Sequence, residues 1–488
     1  MSSNNQLAID KRFNLFKVNK VNSNLLESAE FGKWHNFVQK AYKKNVEEGE
    51  AAMVRTLTKH YGDEELAKLL SKASTSNIIA ERLEGAQFTK WLVEERSVGN
   101  VFNLLKLDEA GENLFKSPQL SSWVKYANKF QSNPEETMFL VLKTHFDDQT
   151  LAKMISAAKW DEGIHTKIAI KLENVELEQW LSRGKTSDDI FKFLNLNDDV
   201  GNVLKNPAFN TWVSFVTKVE KENPYEVVFA KLLTRYDEES LTKLVFTAMD
   251  DYKTLKIAEK LEVVLQNKWI SGRKTANDVF KLLNLGKEGD AIFTSPMWSS
   301  WNSYVMRLSK GDPDESMYLT LKSQFGEEKL VEMIGGNVRM KNIADKLQED
   351  WRSQGKSGDD IFKLLKLNEK KEQFVESPML STWISYVRKL EKFKAKSDEF
   401  VVIRYLENIF DEVTLARILA MEKKQDNSAT KNVIADLQRM QFKLWESRYG
   451  IDANRLTEML LRDTSRNVMP ANVQVTYDFY DFYKATLG

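Results

Sequence analysis

Phe209-Asn210-Thr211-Trp212-Val213-Ser214-Phe215-Val216 sets aromatic and aliphatic side chains at positions 209, 212, 215 and 216, a spacing of three and four that draws one apolar stripe along a helix. Asn206-Pro207 stands just ahead, a capping side chain followed by a Pro at the first helical position, where the missing N–H costs nothing. The same arrangement returns around Trp34, Trp123, Trp301 and Trp383, so that with Trp212 the tryptophans are spaced by 89, 89, 89 and 82 residues. Three residues before each comes Phe31, Leu120, Phe209, Trp298 or Leu380, and three after it Phe37, Tyr126, Phe215, Tyr304 or Tyr386. Self-similarity of this period marks a tandem array of supersecondary units.

The rest of the unit keeps the register. Phe13, Phe102, Phe191, Phe280 and Phe362 each lie 21 residues before the Trp and belong to a Leu/Phe-rich helix. Tyr61, Phe146, Tyr236, Phe325 and Phe410 each close a helix, and five residues later Leu66, Leu151, Leu241, Leu330 and Leu415 open the buried face of the next. A second tryptophan, Trp91, Trp180, Trp269, Trp351 or Trp445, ends the unit. These fifteen tryptophans and closing aromatics are read as the structural core of the repeats, because aromatics on a helical stripe pack inward. The units then run 13–101, 102–190, 191–279, 280–361 and 362–455, after a tail of 1–12 and before a degenerate cap, 456–488, in which Tyr477 and Tyr480 stand at the places of the Trp and its aromatic. The fourth unit is seven residues shorter, and the interval from Leu261 to Trp269 contracts from eight to four between Leu347 and Trp351, so about one helical turn is expected to be missing with the same face still inward.

Composition agrees with an all-α chain. In 488 residues there are 20 Gly and 8 Pro, few of the breakers that sheet folds place at turns. Seven of the eight prolines sit where a helix is expected to begin. Hydrophobic residues make up 42% and charged residues 29%, with no apolar run long enough to span a bilayer, so no membrane insertion is expected. The 71 basic and 71 acidic side chains cancel, which disfavours binding along a phosphate backbone. Absence of Cys removes disulfides, thiol nucleophiles and cysteine-ligated metals.

The Leu-rich helix, Trp helix and Tyr/Phe helix, carried by Asp189-Ile190-Phe191, Trp212-Val213-Ser214-Phe215 and Tyr236-Asp237-Glu238-Glu239-Ser240-Leu241, resemble the WY and LWY units of oomycete RxLR-type effectors from Phytophthora and its relatives. The resemblance runs from Phe13 to about Tyr480. It implies that each unit is a small helical bundle, that the Leu-rich helix locks one unit to the next, and that the protein is secreted by a pathogen and acts in the cytoplasm or nucleus of plant cells against immunity. Neither an Arg-x-Leu-Arg motif nor a charged-then-apolar leader is found in the chain as given, so such signals are expected to be absent or already removed. Some members of that family suppress RNA silencing, and a subset binds the scaffold subunit of host protein phosphatase 2A in place of a regulatory subunit.

No chemistry-bearing motif emerges. There is no phosphate loop, no zinc-protease or nucleophile-elbow signature, and the four histidines His35, His60, His145 and His165 do not recur with the repeat as a site would require. Acidic pairs such as Asp188-Asp189 and Asp359-Asp360 fall at helix starts, where negative charge suits the dipole. The chain is therefore expected to be no enzyme, to hold no metal or cofactor, and to work as a monomeric adaptor through its surface, with the phosphatase scaffold the favoured partner. Direct binding of small RNA and an unrelated helical scaffold are the alternatives. Trp160 has no counterpart in the other units: Ser71 and Met249 take its place. With Lys159 and Asp161 it is the candidate partner-binding site, read as lying between two helices.

Overall fold

The computed structural model describes residues 2–487 except 22, 199–201, 336, 338–339, 425–429 and 464, and the side chains of all of these except 2–4, 130 and 487. Every regular element among the described residues is helical. A full repeat has five main helices, as in Val98–Leu104, Gln119–Phe130, Pro134–His145, Asp148–Trp160 and Thr166–Ser182. The Leu/Phe helix of four repeats opens with a capping box, Ser97 with Asn100, Thr186 with Asp189, Thr275 with Asp278 and Ser357 with Asp360. These caps explain the acidic pairs, and they set the helix starts four residues ahead of the expected breaks at 102, 191, 280 and 362, all of which fall inside helices. All eight prolines stand at or beside a helix start, Pro470 included.

The chain divides into two compact bodies, Met1–Leu265 and Gln266–Gly488. In the first, Phe13, Phe102 and Phe191 meet Trp34, Trp123 and Trp212 edge to face, with ring centroids 5.0, 4.9 and 4.8 Å apart. The indole N–H of each Trp donates to the backbone carbonyl 25 residues upstream, that of Ile9, Val98 or Ser187. All three indoles are fully buried, so this bond satisfies a donor that would otherwise be costly. Trp91 packs against Tyr126 at 5.8 Å and Trp180 against Phe215 at 5.8 Å, which joins each unit to the next. One apolar cluster accordingly runs without a break from Phe88 and Trp91 through Trp123 to Leu172. The expected tail, 1–12, is no tail: residues Ser2–Leu15 form a helix, with Ile9 and Phe13 buried and the Gln6 amide donating to the Ala52 carbonyl and the Thr56 hydroxyl. It takes the place of the shorter capped helix of later repeats, because Trp34 needs the Ile9 carbonyl.

The second body repeats the geometry. Trp301 and Trp383 donate to the carbonyls of Ala276 and Gly358, both at 2.8 Å, while Tyr304 and Tyr386 donate to Lys274 and Lys356. Gly358 packs tightly, since a Cβ there would lie 3.0 Å from the Tyr405 ring and the ring would have to give way. The shortening of the fourth unit appears in its last helix, Lys341–Ser353, with 13 residues against 20 in Tyr252–Ser271. In the cap, Tyr477 and Tyr480 are exposed, and Val475 and Phe479 enter the core beside Phe442 and Trp445 instead. The π-helical turn Trp445–Tyr449 adds one residue before the left-handed Gly450 that opens the cap.

Core membership also differs from expectation at one repeat position. Tyr61, Phe146, Tyr236, Phe325 and Phe410 are only half-buried. Each ends or follows its helix at the margin of the bundle, and the residue one turn earlier, Leu57, Leu142, Leu232, Leu321 or Leu406, is the fully buried one. All ten tryptophans of the two repeat positions are buried. Left-handed residues recur too: Lys17, Lys106, Asn195, Asn284 and Lys366 end the Leu/Phe helices, and Glu95, Gly184, Arg273 and Gly355 end the second-Trp helices. Where these are Lys, Glu or Arg the left-handed backbone carries some strain.

Candidate partner-binding surface

Trp160 is the last residue of the helix Asp148–Trp160 rather than part of a loop. It is half-buried, more open than any tryptophan at a repeat position. The ammonium of Lys253, from the third repeat, lies 5.5 Å from its ring centroid, so an indole of one unit is covered by a cation of the next. Asp161 follows as an exposed residue, and the turn beyond it is tied back by His165, which is buried. The His165 ring bonds through Nδ1 to the Phe115 carbonyl at 2.8 Å and through Nε2 to the Ser121 hydroxyl at 2.9 Å. Facing a carbonyl, Nδ1 is a donor, and the Ser121 hydroxyl holds the other ring nitrogen. A hollow of about 550 Å³ opens beside this turn, bordered by Lys153, Asp161 and His165. His60 and His145 are exposed and rest on Phe13 and Phe102.

Lys159 does not belong to the surface. Its ammonium sits 2.8 and 2.7 Å from the two carboxylate oxygens of Glu173, whose side chain is buried. Thr211 donates to the same carboxylate at 2.6 Å and shares a 2.7 Å bond with Ser156. Lys159 thus neutralises a charge at the junction between repeats and is not available to a partner. The preceding junction has the same device, with Glu84 held by Ser122 and by Lys125 at 2.8 Å. Recurrence of Glu84 and Glu173 at an interval of 89 residues is the signal in the sequence that could have marked this seam. Nothing local could have paired Trp160 with Lys253.

A third junction position is charged in one repeat. Gln87 and Gln441 donate their amides to the carbonyls of Asp63 and Glu412, and Glu176 occupies the equivalent place, four residues before the second Trp. Burial pushes the Glu176 carboxyl well above the usual carboxylate range, and the nearby Glu173 and Asp148 push it the same way.

The WY-domain of the effector PexRD54 matches residues 86–127 and 175–216, each running from a second-Trp helix into the following Trp helix. The crystal structure of PcRxLR12 is 30% identical, with a TM-score of 0.64 over 82% of this chain and 98% of that one. The chain belongs to the RxLR effectors built of WY units. The RxLR effector PSR2 of Phytophthora sojae is 28% identical over 89% of this chain and 67% of its own length. PSR2 of Phytophthora infestans is 26% identical over 96% of the chain, which spans 63% of that relative. CRE15 of Phytophthora infestans is 30% identical over 55% of the chain and 77% of that protein. As an RxLR effector the protein is secreted by its pathogen, delivered into host cells and directed at host proteins. No helix among the described residues is long and apolar enough to cross a membrane.

Proposed function

We propose that this effector is a non-enzymatic adaptor that captures a host protein in the plant cytoplasm, with the scaffold subunit of protein phosphatase 2A as the partner and displacement of a regulatory subunit as the consequence. The observation that carries the reading is Trp160 under Lys253, an accessible aromatic shared by two successive repeats that aromatic contacts and the Glu173 network fasten together. A partner that grips adjacent units needs such a paired face, and a half-buried Trp is a frequent anchor of binding energy. We further take the repeat boundaries at the capped helix starts, near 98, 187, 276 and 358, with the opening helix Ser2–Leu15 as part of the first unit.

The test is direct binding of the purified effector to the purified scaffold subunit, followed by competition with a regulatory subunit. Association in which Trp160→Ala weakens binding by about 30-fold supports the reading. An effector that does not bind the scaffold subunit removes the phosphatase from the proposal. Unchanged binding by a folded Trp160→Ala protein removes Trp160 from the interface.

A further inference from the structure

In the second body a groove of about 650 Å³ lies between the helices Lys341–Ser353, Met379–Lys392 and Lys431–Leu444. Its floor is apolar, formed by the buried Ile384 and Leu437, with one polar point where the Ser385 hydroxyl reaches the buried Gln348 amide oxygen at 3.4 Å. Lys341, Arg388, Lys389 and Lys392 line it. Phe393 closes one end, 63% exposed, with the Arg352 guanidinium 4.4 Å from its ring centroid.

The charge around this groove departs from the rest of the chain. Positive and negative side chains balance overall, yet the segment 388–396 carries Arg388, Lys389, Lys392, Lys394 and Lys396 against the single carboxylate of Glu391, which Lys394 already pairs at 2.7 Å. Lys341 and Lys392 are exposed and make no ion pair among the described residues. The cations also cluster at the carboxyl end of Met379–Lys392, where they suit the helix dipole. An apolar floor under a cationic rim is complementary to a segment that brings one apolar side chain flanked by carboxylates. Asp345 and Asp436 interrupt the positive rim, which suits a peptide able to place its carboxylates away from them better than a phosphodiester backbone charged at every residue.

We infer that the groove between these three helices docks an acidic peptide segment of a partner protein, with one apolar side chain seated on Ile384 and Leu437 and carboxylates answered by Lys341, Arg388 and Lys392. The site is separate from Trp160 and stands whether or not the phosphatase is the partner there. The effector would then hold a second protein independently of the first.

The experiment uses the full chain and fluorescein-labelled short peptides of Glu and Ala with a single central Leu, Phe or Trp, read by fluorescence anisotropy. Lys-for-Glu peptides and a short oligouridine are the controls. Binding of at least one acidic peptide is expected, weakened about tenfold by Arg388→Glu with Lys392→Glu and abolished by Ser385→Trp, which fills the floor. The three positions are exposed, and an unchanged melting temperature verifies folding; Lys341→Glu is the second variant should the double substitution fail to fold. The inference is overturned if no acidic peptide binds at millimolar concentration, if the charge reversals leave binding unchanged, or if the RNA binds more tightly than the peptides. Capture of the phosphatase scaffold, measured in parallel, is unaffected by these variants, so the failure of either idea is visible apart from the other.

Discussion

Replacing Trp212 tests the repeat at its most defined point. The ring is fully buried, meets Phe191 at 4.8 Å and Phe209 at 5.4 Å, and donates its N–H to the Ser187 carbonyl at 2.8 Å. Trp212→Ala removes all three contacts and leaves a cavity, placing the cost at the upper end of the range for such truncations, about 5 kcal/mol. Trp212→Phe retains an aromatic surface for Phe191 and loses chiefly the hydrogen bond and part of the volume, about 1–2 kcal/mol. In a tandem array the loss should concentrate in the repeat concerned and its neighbours. Hydrogen exchange by mass spectrometry, resolved on peptides from 187–248, reads that local stability, and chemical denaturation reads the total. Equal costs for Phe and Ala would refute the idea that the indole bond and ring contact are separable supports. A cost below about 1.5 kcal/mol for Ala would show that Trp212 is not core.

Three further outcomes follow from the junctions. Trp160→Ala should cost about 1 kcal/mol of stability or less, because the ring is half-buried and loses mainly its contact with Lys253, while scaffold binding falls; thermal melting and binding are measured on one preparation. Lys159→Met strands the buried Glu173 carboxylate and should destabilise by about 3 kcal/mol without a specific effect on binding, checked by denaturation. Glu176 has a folded-state pKa raised above its unfolded value near 4.5, so its protonated form supports the fold below that pH and this support is lost as pH rises through the folded pKa. Glu176→Gln, which copies Gln87 and Gln441, should therefore raise the melting temperature at pH 7 and change it little at pH 4. A variant no more stable than the parent at pH 7 would contradict this.

The repeated core was legible because tryptophan is rare and its interval constant; ten of the twelve tryptophans fall on two positions, and all ten are buried. Closing aromatics such as Tyr61 and Phe410 were harder, since a residue at the end of a helix satisfies the same periodicity whether it enters the bundle or covers its rim. Ser2–Leu15 escaped notice because its contribution to the first unit includes a backbone carbonyl, which leaves no trace in residue type. For the candidate site, the exposure of Trp160 relative to the repeated tryptophans could be read from its lack of counterparts. The assignment of Lys159 could not: a lysine looks the same in sequence whether it faces solvent or pairs with Glu173 from another helix.

The carbonyls that receive the five indoles belong to Ile9, Val98, Ser187, Ala276 and Gly358, five different residues. The hydroxyls of Tyr126, Tyr304 and Tyr386 likewise end on the main chain of Arg96, Lys274 and Lys356. A fastening addressed to the peptide backbone imposes no residue identity on the helix it fastens beyond room to fit. Mutation can rewrite the connecting segments without loosening the joint, and a unit copied or recombined into another array arrives with its fastening intact. For a pathogen whose targets change, this permits lengthening, shuffling and resurfacing of such chains at little risk to folding.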